Sequence, residues 1–531
     1  MKKQLCMLLA AAMLIGAAGC KSNTAQKTGT GENVALEGDL VSETPLELSV
    51  FYHTRDSFVF DNDWPVFKKA AELTNVTLKS VVPKTTTSST EAFNLMMAGG
   101  DLADLVFAQS IYIQKYASEG AFVALNDLIE EYAPNIKREL ETNETFRKTV
   151  TSEDGNIYYI VQSQKLPEDS SITATTNNIY YIRQDWLDKL NLPVPDTIDE
   201  YVETLKAFRD KDPNGNGKQD EIPFFANTAE EFVRMAANST GARTNWYVDN
   251  SGKVHFGNYE QSYKEGIKLA AQWYKEGLVD REIFTRGSSA RDILLGNDLG
   301  GALRGAVDST AEYNNKYKDK IEGFNLVPML PPKNVNGERI EETSTVIGSA
   351  GNIGGFAISY QNEHAIETIK YLDFWFGETG SRLAEFGIEG EQYDIVDGKP
   401  VFKDELLHGD DPTVAQLRAI GAQQLMPFLD SREARLQWTN ELALEGTSMY
   451  EKDGCLCNPF PTLNFTVGES ETIDAMLGSI VTYMNEMQQK WILGENDVEA
   501  EFDNYLEKMK AMGMDECLAA YQSAYDRYVK R

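Results

Sequence analysis

The sequence predicts an α/β protein of two lobes behind an export segment, and three observations carry that reading. Short apolar strands alternate with capped helices at the spacing of right-handed crossovers. This grammar starts twice, near residue 46 and again near residue 179. The length, 531 residues, is too great for one ordinary domain, and 42% hydrophobic with 25% charged residues marks a globular chain.

The elements follow in chain order. Met1, Lys2 and Lys3 bring positive charge, 5–15 is an apolar run, and small residues lead up to Cys20, so 1–19 reads as an export signal. The residues before Cys20 resemble the lipobox of bacterial lipoproteins, in which the cysteine is diacylated after cleavage; the plainer alternative is ordinary signal cleavage. No later segment approaches the roughly 20 apolar residues of a membrane span. Residues 21–43 hold no aromatic side chain and are rich in Ser, Thr, Gly and Asn. Residues 20–45 are therefore read as a lipidated cysteine and a flexible tether.

Leu46, Leu48, Val50 and Tyr52 alternate with Glu47, Ser49 and Phe51, which predicts a strand. A helix then starts at Asp63-Trp64-Pro65, with Asp63 as cap and Pro65 in the first turn. A strand over 76–82 follows, then a capping box Ser88-x-x-Glu91 opening a helix that Gly99-Gly100 ends, then a strand over 105–107. Such an alternation implies a mostly parallel sheet covered on both faces. The second start has a strand over 179–182, a helix over 185–190 and a capping box Thr197-x-x-Glu200, with Tyr201, Leu205 and Phe208 on one helix face. Further short strands are expected over 300–303, 325–329 and 355–358.

Charge narrows the partners. Lys and Arg number 50 against 82 Asp and Glu, a net charge of -32 that repels nucleic acid and anionic lipid. Five cysteines without a Cys-x-x-Cys pair give no zinc ribbon or redox motif; Cys455, Cys457 and Cys517 are expected as buried or half-buried thiols, with one disulfide open among them. Neither a nucleophile elbow, a His-Glu-x-x-His helix nor a phosphate loop occurs, so an enzyme is not expected.

One loop carries specific chemistry. In 212–221, DPNGNGKQDE, Asp212, Asn214, Asn216 and Asp220 stand at positions 1, 3, 5 and 9, Gly217 at 6 and the Lys218 carbonyl at 7. Hard oxygen ligands spaced by two around a tight turn converge on one point, the pattern of a calcium loop of the EF-hand type. The twelfth position is Pro223, so Glu221 takes the part of the closing acid. The plain alternative is an Asn-Gly turn after a helix.

Five segments, YIRQDWLDKLNLPVPDTIDEYVETLKAF (181–208), DPNGNGKQDEIP (212–223), WYKEGLVDREIF (273–284), FGIEGEQYDIVDGKP (386–400) and AYDRY (524–528), resemble the extracellular solute-binding lipoproteins of bacterial ABC importers. They are most like the large sugar-binding group that includes alginate-oligosaccharide-binding proteins. The resemblance implies a two-lobed periplasmic-binding-protein-like fold with hinge crossings near 179–183 and 345–355 and an interlobe cleft. It implies lobe 1 from 46–180 with about 353–430 and lobe 2 from 181–352 with about 431–531. It also implies a structural calcium ion on Asp212, Asn214, Asn216, Lys218, Asp220 and Glu221. The expected function is capture of an extracellular carbohydrate, an oligosaccharide, by a lipid-anchored monomer on the outer face of the cell membrane and delivery to a permease. Rival readings are a peptide-binding receptor and an extracellular sensor or adhesin.

Within that cleft, aromatic platforms are expected from Trp64, Trp246, Tyr393 and Trp438, and polar grips from His53, Arg183 and Arg304. His53, Trp64 and Arg304 follow strands, and ligands of open α/β sheets lie outside the carboxyl ends of strands. Trp246, Tyr393 and Trp438 stand beside turn-forming or Gly-rich residues.

Overall fold

The first alternating segment is the strand Leu46–Phe51, with Leu48 and Val50 wholly buried. In the computed structural model, which describes residues 38–531 apart from 55–57, 166–173, 343, 347–353 and 410, this strand lies inside a four-stranded sheet. Val76–Ser80 and Leu105–Ala108 flank it in parallel, and Gly355–Ile358 adds an antiparallel edge against Leu105–Ala108. The expected export signal 1–19, Cys20 and the expected tether up to residue 37 lie outside the described residues.

Helix Pro65–Thr74 starts with its proline in the first turn, but its cap residue is Trp64, not Asp63. The Asp63 carboxylate instead accepts from Lys68 at 2.9 Å. At helix Ser89–Gly99 the Ser88 hydroxyl accepts from the Glu91 amide, a one-sided cap, and Gly100 closes the helix at φ 71°. Both bonds of a capping box form at Thr197 and Glu200, and again at Thr466 and Glu469, which start helices Ile198–Asp210 and Val467–Leu493.

The second sheet runs Leu326–Met329, Asn178–Arg183, Gly300–Ala306, Ile222–Ala226. Only Gly300–Ala306 and Ile222–Ala226 pair in parallel; Asn178–Arg183 is antiparallel to both neighbours. The expectation of mostly parallel pairing therefore holds in the first sheet and fails in the second. The reason is shared: in each sheet three strands point one way, and the reversed one is the strand whose chain has just left the other sheet's core. A strand reached in that way is not bound by the right-handed parallel crossover.

Two hydrophobic cores result. One is built from 41–161 and 356–434, the other from 179–329 and 443–517. Two short ladders stand near the passages between them: Ser163–Gln164 pairs with Leu429–Asp430, at the end of the first core's second stretch, and Ala174–Thr176 with Ser344–Val346, where the chain passes from one core to the other. The segment 179–183, read as a crossing, is thus a central strand of the second sheet, with Tyr181 and Ile182 wholly buried; most of 345–355 lies outside the described residues. Helices Val467–Leu493, Val498–Ala511 and Met514–Lys530 cover the second core with Trp491, Phe502, Tyr505 and Cys517. Among the described residues no helix is long and apolar enough to cross a membrane, and Cys455, Cys457 and Cys517 are free thiols.

Candidate functional site

The loop between helix Ile198–Asp210 and strand Ile222–Ala226 closes on itself through its oxygens. Asp212 accepts from the amides of Asn216 (3.0 Å) and Gly217 (2.9 Å), Asn214 from that of Asn216 (2.9 Å), and Asn216 from that of Lys218 (2.8 Å). Gly217 has φ 80°, the reversal that this tight turn requires. Glu221 is 8% exposed, and both its carboxylate oxygens are buried without a hydrogen-bond partner. Burial pushes its pKa above the ordinary range, and Asp212 and Asp220 add to the push. A buried acid whose oxygens find no well-formed hydrogen bond among the described residues, in the field of two more acids, fits a hard divalent cation as counter-charge. Among the described residues no three His, Cys, Asp or Glu side chains gather as a metal cluster, so the fit rests on a mixed set with Asn and backbone oxygens. The loop leads into the amino end of Ile222–Ala226, and Asn214 donates to the carbonyl of Asp298 (3.1 Å), just before Gly300–Ala306. It lies at the strand ends opposite to those where ligands of such sheets bind.

A cavity of about 1300 Å³ has walls from both cores. One wall is helix Ser110–Ser118, which follows the carboxyl end of strand Leu105–Ala108, with the turn 152–154 and Tyr158. The other is Trp246, the irregular stretch 460–466, the first turns of helix Val467–Leu493, and Tyr521. Trp246 opens a hairpin, Trp246–Val248 with Val254–Phe256, behind Asn245 at φ 56°. Its ring stacks on Tyr521 at 3.7 Å and 10°, and Phe465 meets Tyr521 edge-on at 5.0 Å. Asn464 joins the walls by accepting from the Gln114 amide and donating to the Thr149 and Thr151 carbonyls. The volume exceeds the roughly 300–1,000 Å³ of a small-molecule site. Aromatic faces among amides, hydroxyls and carboxylates suit the apolar faces and hydroxyl rims of several linked sugar rings.

Of the seven expected ligand contacts, Trp246 lines this cavity. Trp64 is 9% exposed, wedged among Tyr52, Phe60 and Phe67 and so close to Gly421 that a Cβ there would stand 2.8 Å from it; it is a core residue. Tyr393 packs on Phe386 and Trp438 on Phe402, both against the first core. Arg183 is wholly buried, held by Asp185 (2.6 Å) and Asp298 (2.7 Å) with its guanidinium over Trp186 and Phe324. Arg304 is clamped by Glu341 (2.9 Å) and Glu231 (3.1 Å). Both arginines are committed to carboxylates of the second lobe, because a buried cation is stable only beside its counter-charge. His53 is buried; among the described residues its ring nitrogens find no partner, and it is not part of the cavity's lining. Sequence reasoning missed Tyr521, Phe460, Phe465, Tyr112 and Tyr158; the signal for two of them was NPFPTLNF (458–465), an irregular aromatic-bearing stretch between helices.

Residues 66–384, more than half of the chain, match the family described as bacterial extracellular solute-binding protein, and the chain belongs to that family. It is 27% identical over 459 residues, 82% of each chain, to the fructooligosaccharide ABC transporter substrate-binding protein FusA of Streptococcus pneumoniae serotype 4. To the polygalacturonan/rhamnogalacturonan-binding protein YtcQ of Bacillus subtilis it is 24% identical over 526 residues, 96% of this chain and 95% of that protein. The crystal structure of alginate-binding protein AlgQ2 without calcium ion superposes with a TM-score of 0.77 at 39% identity, covering 92% of this chain and all of that one. The two-lobed α/β fold expected from the sequence is the fold of these solute-binding proteins.

Proposed function

We propose that the chain is the substrate-binding component of an ABC importer, capturing an extracellular oligosaccharide in the cleft and delivering it to a membrane permease. The observation that carries this reading is an aromatic-walled cavity of about 1300 Å³ with one wall from each of two separate cores. Two lobes, 46–180 with about 353–430 and 181–352 with about 431–531, close on the ligand by bending where the chain passes from one to the other. A thermal-shift screen finds the sugar, since a ligand at 100 times its dissociation constant adds about 2.7 kcal/mol. Trp246→Ala should then weaken binding by on the order of 1 kcal/mol, roughly fivefold, in calorimetry. Full affinity in both Trp246→Ala and Tyr521→Ala would remove the cleft as the sugar site.

The 212–221 loop would hold calcium through Asp212, Asn214, Asn216, the Lys218 carbonyl, Asp220 and Glu221. The ion would supply the counter-charge that Glu221 lacks, and the loop's amides already aim the side-chain oxygens inward. Support comes from two relatives: the AlgQ2 structure is described as without calcium ion, and a FusA structure is described as an EF-hand mutant. Chelation should lower the melting temperature by a few degrees, and Asp212→Ala with Asp220→Ala should abolish that shift. Because the loop sits at the amino ends of the strands, sugar affinity should change little. Elemental analysis finding no calcium in protein prepared without chelator would defeat the assignment.

The lipid anchor on Cys20 rests on the apolar run and the small residues ahead of it. Cys20→Ala should take the chain out of the membrane fraction as soluble protein or leave it as uncleaved precursor; an unchanged membrane fraction excludes the anchor.

A further inference from the structure

We propose that the cleft takes uncharged oligosaccharides and rejects polyuronates, a refinement that rests on reading the cleft as the sugar site. Its ionisable lining is one-sided. Among the described residues, Glu153, Asp154, Glu471 and Asp474 border the cavity against one base, Lys115. Glu153 and Asp154 sit exposed at the tip of a turn on one wall. Glu471 and Asp474, three residues apart on helix Val467–Leu493, sit exposed on the other, so a bound chain runs between two acidic rims. Burial works against the charge of Asp154, but the Tyr158 hydroxyl (2.6 Å) and the Asn156 amide groups (2.8 and 2.9 Å) outweigh it and hold this carboxyl below its ordinary pKa.

A polyuronate brings one negative charge per ring, and its recognition calls for guanidinium forks or ammonium groups aimed into the site. Among the described residues, four arginines that could serve are committed elsewhere. Arg183 and Arg304 are buried on their own carboxylates, Arg527 is held by Glu469 and the Asn464 carbonyl, and Arg531 donates to the Thr151 carbonyl. None of the four lines the cavity. For a neutral sugar the same carboxylates are assets, since each accepts charge-assisted hydrogen bonds from hydroxyls. Relatives are named for both classes, FusA at 27% identity for neutral fructooligosaccharides, and YtcQ at 24% and AlgQ2 at 39% for acidic polygalacturonan and alginate, so belonging to the family does not choose between them. The lining charge does.

The test is calorimetry on the full-length chain in detergent with three sets of probes: neutral fructose, mannose and galactose oligomers; alginate and galacturonate oligomers; and a glucosamine oligomer as cation. At least one neutral oligomer should bind, and every uronate should bind at least tenfold more weakly. The weak uronate affinity should rise between about 0.01 M and about 0.15 M salt as repulsion is screened. Glu471→Gln with Asp474→Asn should narrow the neutral-to-uronate ratio. A uronate bound as tightly as the best neutral oligomer overturns this inference and leaves the oligosaccharide reading standing. Tighter binding of the glucosamine oligomer overturns it in favour of a cationic ligand. Binding of no probe overturns both readings.

Discussion

Arg304→Met should destabilise the protein by about 3–5 kcal/mol, the cost of leaving buried carboxylates without their cation. The guanidinium is 2% exposed between Glu341, also 2%, and Glu231, 14%. Removing it takes the cation from one wholly buried acid and one partly buried acid. The double change Arg304→Met with Glu341→Met should recover part of the loss, because an apolar pair of similar volume replaces a buried ion pair at little cost. Urea denaturation reads both effects as a shift in midpoint at constant slope. A loss below about 1 kcal/mol together with weakened sugar binding would return Arg304 to the ligand site.

Raising the pH should cost stability through Glu385. This side chain is 2% exposed, accepts from the Ser431 hydroxyl (2.7 Å) and amide, and lies beside Asp430. Burial lifts its pKa from 4.5 to about 9, and the neighbouring Asp430 carboxylate adds to the rise. The folded chain therefore keeps a proton that the unfolded chain releases. Its contribution is complete below the ordinary carboxyl pKa, and falls by about 1.4 kcal/mol per unit until the folded pKa is passed. Asp373, pushed by burial to about 6, acts with the same sign over a shorter window. Glu385→Gln should shrink the difference in unfolding free energy between pH 5 and pH 8 by on the order of 2–4 kcal/mol. Equal differences in wild type and variant would show that Glu385 ionises as an ordinary carboxyl.

What could be read from the sequence was what is local. Leu46–Phe51 and Gly355–Ile358 are continuous or alternating apolar runs between breakers, and both are strands. Thr197 and Glu200 are three residues apart and form their box; the oxygens of 212–221 meet because they share one turn. The direction of Asn178–Arg183 was hidden because it depends on where the chain arrives from. Trp64 and Trp246 illustrate the same limit at the site. Each is an aromatic beside a turn, and which way its ring points is decided far away, by Gly421 for one and Tyr521 for the other. The arginines likewise looked like free forks after strands until Glu341 and Asp298 were in place.

The interleaving of the cores constrains the timing of folding. A chain made or exported amino end first presents 41–161 long before the 356–434 that completes that core, and 179–329 before its own 443–517. Closing such distant contacts carries an entropic cost and slows collapse relative to a domain built from one continuous stretch. Gly355–Ile358, the edge strand of the first sheet, and the three closing helices of the second core are all made late. The sequence thus delays its own stable folding until most of it has emerged, which is the state a translocation channel can accept. Both lobes then complete within the last third of the chain, so neither is left folded for long beside an unfinished partner.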